Sequence, residues 1–248
     1  MSIHPTAIVA TGAALDPTVE VGPYAIIGAK VKVGPRTTIG PHAVIEGDTT
    51  IGADNRIFQF ASIGAIPQDL KYAGEATKVV IGDRNQVREF TTIHCGTVQG
   101  GGLTRVGNDC LLMASSHVAH DCHVGDHVIL ANSVALAGHV SVEDHAICGG
   151  LSGVHQFTRI GRLAFISGGA MVTMDIPPFC TAHGNRAELM GLNTVGLTRA
   201  GYSTEQIGRL KGAYKLVFRE GLGLREALAR VRAEFGGHPE TDHFVAFI

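Results

Sequence analysis

An aliphatic residue stands at every sixth position from Ile3 to Ile63: Ile3, Val9, Leu15, Val21, Ile27, Val33, Ile39, Ile45, Ile51, Ile57 and Ile63. The register resumes at Ile81, Val87 and Ile93, and again at Val106, running through Val118, Leu136 and Val154 to Val172 with Cys148 as its one non-aliphatic member. A period of six fits neither the period of a helix (about 3.6) nor that of one long strand (about 2), so each hexad must be a short strand followed by a turn. Three hexads close one triangular coil, and the coils stack into an all-β solenoid of hexapeptide repeats. Two residues before the aliphatic lies a small one, as at Ala7, Ala13, Ala25, Thr37, Ala43, Cys110, Ser116 and Cys122. Alternate strand positions face the same way, so both columns point into the prism, with coils about 4.8 Å apart. Glycine follows the aliphatic at Gly22, Gly28, Gly34, Gly40, Gly52 and beyond, and is expected at the corners. Flat walls of this kind call for self-association.

The register breaks at 65–80 and at 94–105, which read as excursion loops, and insertions on one face of a solenoid are where function gathers. The Gly100-Gly101-Gly102 run must be mobile or must approach something closely. After Pro177-Pro178 the pattern turns helical: Ser203-Thr204-Glu205-Gln206 makes a capping box, followed by Ile207, Leu210, Tyr214, Val217 and Phe218 at helical spacing. Leu224, Leu228, Val231 and Phe235 give a second amphipathic helix. The expected organisation is a solenoid over 1–178 and a C-terminal α-helical domain over 179–248, capping strand edges that would otherwise be open.

The repeat begins at Ile3 and no long apolar run follows, so neither a cleavable signal nor a transmembrane segment is expected, and the protein should be cytoplasmic. The five cysteines include no C-x-x-C, and two of them fall in the inward column, so they read as reduced core residues. A formal net charge of −2 argues against nonspecific nucleic-acid binding. Charge is unevenly placed all the same. No Lys or Arg occurs between Arg105 and Arg159, where seven of the thirteen histidines lie. Between Arg199 and Arg232 basic residues dominate, as a solvated helix face or a dock for an acidic partner.

The segment His117-Val118-Ala119-His120-Asp121-Cys122-His123 has the composition of a metal site, but repeat phase puts His117 and His123 on different walls and Cys122 in the core, so no tetrahedral site is expected. The same phase stacks Val118, Leu136 and Val154 on one wall in successive coils, so His120, His139 and His155 should form a ladder near one edge. Three imidazoles beside Asp121, with no permanent cation near in sequence, suit a site containing a general base. A neutral imidazole takes a proton from a hydroxyl at neutral pH.

Several segments off the hexad register carry a family resemblance: QDLKYAGE (68–75), HCGTVQGGGLT (94–104), SHVAHDC (116–122), LAGHVSV (136–142), GVHQF (153–157) and HGNRAELMGLN (183–193). With the hexads they resemble the UDP-N-acetylglucosamine O-acyltransferase family over essentially the full length. The resemblance implies a left-handed parallel β-helix, against the usual right-handed crossover rule, and a homotrimer. It implies transfer of an (R)-3-hydroxyacyl chain from acyl carrier protein to the 3-hydroxyl of UDP-N-acetylglucosamine, the first step of lipid A biosynthesis, with no metal or other cofactor. His120 then matches the general base, Asp121 the group that orients it, and Gly138 N–H the oxyanion donor. Asp69, Lys71, His117, His139, His155, Gln156, Asn193 and Arg199 match positions lining the nucleotide-sugar and acyl site, with Lys71 reaching in from a neighbouring subunit. Gly168 matches the position that limits acyl length. Ala200 departs from the pattern, since a second Arg can follow Arg199 in relatives. The basic helices become the dock for acidic acyl carrier protein.

Other readings compete. Within the family, the acceptor could be a 3-amino sugar and the product an amide, and no residue decides between them. A γ-type zinc carbonic anhydrase or a noncatalytic scaffold shares the hexads but not QDLKYAGE or HGNRAELMGLN. The related N-acyltransferase of the same pathway carries a domain ahead of its β-helix, which Ile3 in register argues against.

Overall fold

The computed structural model describes residues 2–248. Each hexad is a two-residue strand and a turn, and the strand's second residue points inward. In Ile26–Ile27 the first side chain is exposed and the second fully buried. Ile27 pairs in parallel register with Val9 below and Ile45 above, so like stacks on like. Burying each such aliphatic contributes about 1.5–3 kcal/mol. Strands one coil apart make three sheets: the first begins at Ser2–Ile3, the second at Ile8–Val9 and the third at Ala14–Leu15. The result is a left-handed parallel β-helix of hexapeptide repeats with a helical cap.

The corners are type II turns with ordinary side chains at the left-handed position, among them Tyr24 (φ 58°), Asp121 (φ 59°) and His139 (φ 62°). Proline precedes that position at Pro23, Pro35 and Pro41. The glycines expected for corner geometry sit earlier in the turn and stay outside the left-handed region. Their reason is space: a Cβ on Gly34 would lie 2.7 Å from the Gly52 carbonyl carbon, and one on Gly40 2.8 Å from Gln59 N. Inside one corner the small column is interrupted by buried Asn55 and Asn85, whose amides donate to Gly82 O (2.8 Å) and Gly107 O (2.9 Å). Satisfied this way, they cost the core little. All five cysteines are buried and free, and burial pushes the Cys110, Cys122, Cys148 and Cys180 thiols up to about 12.

The domain limits differ from those expected. Ser62–Ala65, Lys78–Ile81, Thr92–His94 and Leu103–Val106 all pair in the sheets, so the excursions shrink to 66–77 and 95–102. Beyond Pro178 the chain is not yet helical. Cys180–His183 extends the first sheet and Glu188–Leu192 folds back on it antiparallel, closing the open edge with a hairpin too short to show a period. Helices follow as α1 (Thr194–Arg199), α2 (Thr204–Phe218), α3 (Leu224–Phe235) and α4 (Pro239–Phe247). The Ser203/Gln206 capping box forms with both reciprocal bonds. Leu210, Tyr214, Val231 and Phe244 make the cap's core, and Phe179 seals it to the last coil. No described helix is long and apolar enough to cross a membrane.

Candidate active site

The strand His117–Val118 turns its inward Val118 to the core and leaves His117, then Ala119 and His120, along the outer face of the second sheet. Asp121 takes the corner and is almost wholly buried. The second excursion, which lies outside the hexad register, folds over it. Thr97 donates to the Asp121 carboxylate from its backbone N–H (2.9 Å to Oδ1) and its hydroxyl (2.6 Å to Oδ2). Asp121 N–H in turn donates to Thr104 Oγ1 at 2.8 Å. Gly100 lies so close that an added Cβ would fall on the carboxylate itself. The glycine run therefore serves close approach, with Gly101 and Gly102 at positive φ to turn the chain away.

Asp121 Oδ2 also accepts from His120 Nδ1 at 2.8 Å. A proton held on Nδ1 by the carboxylate leaves Nε2 as the lone-pair nitrogen, and His120 is partly open to a cavity of about 580 Å³. Gly138 borders the same space: a Cβ there would stand 2.5 Å from His120 Cε1 and 2.6 Å from Nε2. Its N–H has no acceptor within the described chain. At the equivalent turn position Ala53 and Asp83 donate to the Asp83 and Asn108 side chains one coil on (both 2.8 Å), and Pro23, Pro35 and Pro41 have no N–H to place; Gly138 has neither arrangement. Gly138 itself is part of the cavity lining.

His117, His155 and Gln156 line this cavity with His120 and Gly138. His117 Nδ1 is 2.7 Å from Thr92 Oγ1, and burial first, then His94 and His120, push its ring down to about 4. The expected three-rung histidine ladder is not what forms. His139 meets His120 edge-on at 5.0 Å, stacks on Phe157 at 4.4 Å and puts Nε2 3.9 Å from Asp121 Oδ2, behind the cavity and off its lining. His120, Asp121 and His139 are the one group among the described residues gathered closely enough to hold a metal ion. Both Asp121 oxygens already accept from Thr97 and His120, so the group is built as a hydrogen-bonded relay.

The remaining expected positions lie elsewhere. Asn193 and Arg199 line a second cavity, about 640 Å³, between α1 and the outer face of the first sheet. Asn193 caps α1 through Gly196 N (3.0 Å) and donates to Leu163 O (2.9 Å), which fixes the helix to the solenoid. Asp69 and Lys71 sit in the first excursion outside both cavities, joined by the Lys71 N–H bond to Asp69 Oδ1 at 2.9 Å. Gly168 is at the corner between the first and second sheets, also outside both linings. Of the basic cap residues, Arg209 pairs with Glu205 and Glu240, Lys215 with Glu220, and Arg230 with Glu220 and Glu234.

Sequence reading missed Gln68, His94, Thr97 and Thr104. His94 had a signal, because it follows inward Ile93 as His155 follows Val154. It is buried at one end of the cavity against His117, with Nδ1 unpartnered, and burial lowers its pKa. Thr97 had none.

Comparison with known proteins agrees along the whole chain. The profile described as Udp N-acetylglucosamine O-acyltransferase, domain 2, matches residues 175–248, and the bacterial transferase hexapeptide profile matches 103–138. The acyl-[acyl-carrier-protein]--UDP-N-acetylglucosamine O-acyltransferase of Anaeromyxobacter dehalogenans is 61% identical over 248 residues, covering 100% of this chain and 96% of the relative. That of Myxococcus xanthus is 62% identical over 246 residues, covering 99% and 95%. Among solved structures, the Moraxella catarrhalis UDP-N-acetylglucosamine O-acyltransferase superposes with TM-score 0.96 at 45% identity, covering 99% of this chain and 96% of its own. The Campylobacter jejuni acyltransferase gives TM-score 0.94 at 40% identity, covering 100% and 96%.

Proposed function

The chain belongs to the acyl-[acyl-carrier-protein]--UDP-N-acetylglucosamine O-acyltransferase family, and from that premise we propose a mechanism in which His120 is the general base and the working site lies between copies of the chain. The enzyme transfers an acyl chain from acyl carrier protein to UDP-N-acetylglucosamine, the first step of lipid A biosynthesis. The (R)-3-hydroxyacyl group is the donor and the sugar 3-hydroxyl the acceptor. His120 Nε2 takes the hydroxyl proton as the oxygen attacks the thioester carbonyl, while Asp121 steadies the imidazolium that forms. Gly138 N–H donates to the tetrahedral oxyanion. Collapse forms the ester and expels the carrier thiolate, which takes the proton back from Nε2.

The observation that carries this reading is the Thr97–Asp121–His120 relay ending on a cavity beside an unspent N–H. Assembly into a homotrimer is supported by the division of the site. His117, His120, Gly138, His155 and Gln156 are on the second sheet's face, and Asn193 and Arg199 on the first's. A threefold arrangement that sets the second sheet of one copy against the first sheet of the next joins the halves. In the coils around the site the outward positions fit: Ile129, Ile147 and Phe165 on the first sheet and Ala135, Gly153 and Met171 on the second are uncharged, whereas the third carries Arg105, His123 and Arg159 there. Asp69 and Lys71 then enter from the neighbour. Acyl carrier protein docks on the cap, where Lys211, Arg225 and Arg232 join none of the cap's ion pairs.

Mixing two inactive variants tests both points. His120→Ala alone should lose about 10²- to 10⁴-fold in turnover, and Arg199→Ala should be impaired separately. Refolded together, mixed assemblies should recover activity at up to about a quarter of the sites, those that draw each intact residue from a different copy. No recovery in assemblies shown to be mixed would sink the shared site. Near-normal turnover of His120→Ala would sink the base.

A further inference from the structure

The second cavity carries two imidazoles that neither the fold nor the acyl-transfer step uses. His127 and His145 occupy the corner between the third and first sheets in adjacent coils, with φ of 56° and 60°. Their rings lie parallel, 4.6 Å apart and 9° from coplanar. Both border the cavity together with Arg199 and Ala200. Arg199 is the one permanent cation on that lining and joins none of the ion pairs that occupy the cap's other cations. An unpaired guanidinium beside two imidazoles and apolar walls is a recognition surface for an anion attached to a larger, less polar molecule.

Charged groups surround the pair. Down the same corner runs a charge ladder, Arg36 on Asp54 and Arg84 on Asp109, and Asp109 Oδ2 is 4.0 Å from His127 Nε2. That carboxylate is already held by both Arg84 nitrogens at 2.8 Å. His145 has no carboxylate at hydrogen-bond distance; burial lowers its pKa, His127 and Arg162 add to the effect, and Asp144 and Asp126 oppose it. His145 thus has a ring nitrogen available to take up a proton when an anion arrives.

We propose that His127, His145 and Arg199 form a phosphate-binding site in which Arg199 supplies a fixed charge and the stacked imidazoles a proton-dependent one. The site rests on the reading of Arg199 as a substrate-binding residue and adds two residues to it. Two phosphates of the reaction have the right chemistry: the diphosphate of the nucleotide sugar and the phosphodiester of the carrier's pantetheine arm.

The test uses the assembled enzyme and the double variant His127→Phe/His145→Phe. Phenylalanine suits this corner, as Phe60, Phe90 and Phe157 hold the equivalent turn position at φ of 61°, 60° and 65°, so the stack survives while the nitrogens go. UDP-N-acetylglucosamine is a convenient probe because its diphosphate has no titrating proton between about pH 5.5 and 8. Its calorimetric affinity for the wild type should rise about fivefold to tenfold as pH falls across that range, the worth of one charge-assisted hydrogen bond near solvent. In the double variant the dependence should vanish, with the assembly intact by light scattering. If the carrier phosphate is the ligand, nucleotide-sugar affinity stays flat and the KM for acyl carrier protein shows the dependence, again only in the wild type. Flat behaviour for both substrates in the wild type, or the same dependence in the double variant, overturns the site. A wild type that neither binds nor acylates the nucleotide sugar would overturn the functional reading and the site with it.

Discussion

Asn in place of Asp121 strikes the relay at its most constrained point. Asp121 Oδ1 accepts from Thr97 N–H at 2.9 Å, and Oδ2 accepts from Thr97 Oγ1 at 2.6 Å and His120 Nδ1 at 2.8 Å. An amide has only one oxygen to offer. Turned toward the Thr97 N–H, it sets its NH₂ against the Thr97 hydroxyl, which can rotate to accept, and against His120, which must then present a bare Nδ1. Turned the other way, it opposes two N–H groups in a buried pocket, at a cost of about 1–3 kcal/mol. The first orientation wins, and it moves the imidazole proton to Nε2, where the base should be free. Asp121→Asn should therefore fold and assemble normally yet lose about 10²- to 10⁴-fold in kcat, about 3–5 kcal/mol in barrier, while KM values hold. Steady-state turnover with UDP-N-acetylglucosamine and a hydroxyacyl carrier, read by product mass spectrometry, measures this; melting and light scattering check the fold. Turnover within about threefold of wild type in an intact assembly would show that the carboxylate does not select the tautomer.

Three further outcomes are expected. Gly138→Ala puts a Cβ 2.6 Å from His120 Nε2, so it should displace the ring and lower kcat by at least about tenfold with little change in melting temperature; unchanged kinetics would mean that the ring does not work from this position. Gly168→Met brings its Cβ to 3.2 Å from Gly150 O, a tight contact that needs a small shift of that turn, and it should shift preference to donors shorter by several carbons, each buried methylene being worth about 0.8 kcal/mol. A donor series with an identical length profile would place the ruler elsewhere. His117, held down to about 4, and His94, lowered in the same direction, bind protons less readily folded than unfolded, so the unfolded chain holds the extra protons between about pH 6.5 and 4. Stability should be complete above that window and decline as pH drops through it, with a shallower decline in His117→Phe; parallel melting curves for the two proteins would refute the assignment.

Which residues could be read in advance follows from how the register works. A hexad repeats one environment, so it fixes the inward column, the parallel stacking and the wall on which any in-register residue lies; His120 and His155 were placed on one wall that way, and they share a cavity with His117, Gly138 and Gln156, which the resemblance supplied. Phase does not resolve the difference of one residue at a corner. His139 follows Leu136 by three and His120 follows Val118 by two, and that single step moves His139 round the edge onto Phe157 and away from the lining. Nor does the register reach the excursions. Thr97 meets Asp121 across 24 residues, with no periodicity between them. Composition hinted only that Gly100 must lie against something. Asn193 and Arg199 matched the site by resemblance, yet within one chain they line a cavity apart from His120, a division that the proposed assembly accounts for. The faces that divide it meet at one corner, where Tyr24, His42, Phe60 and Phe90 stack at 5.0–5.2 Å with exposed rings. The proposed threefold assembly would turn that corner toward its axis, where the exposed aromatics would find cover in the other copies.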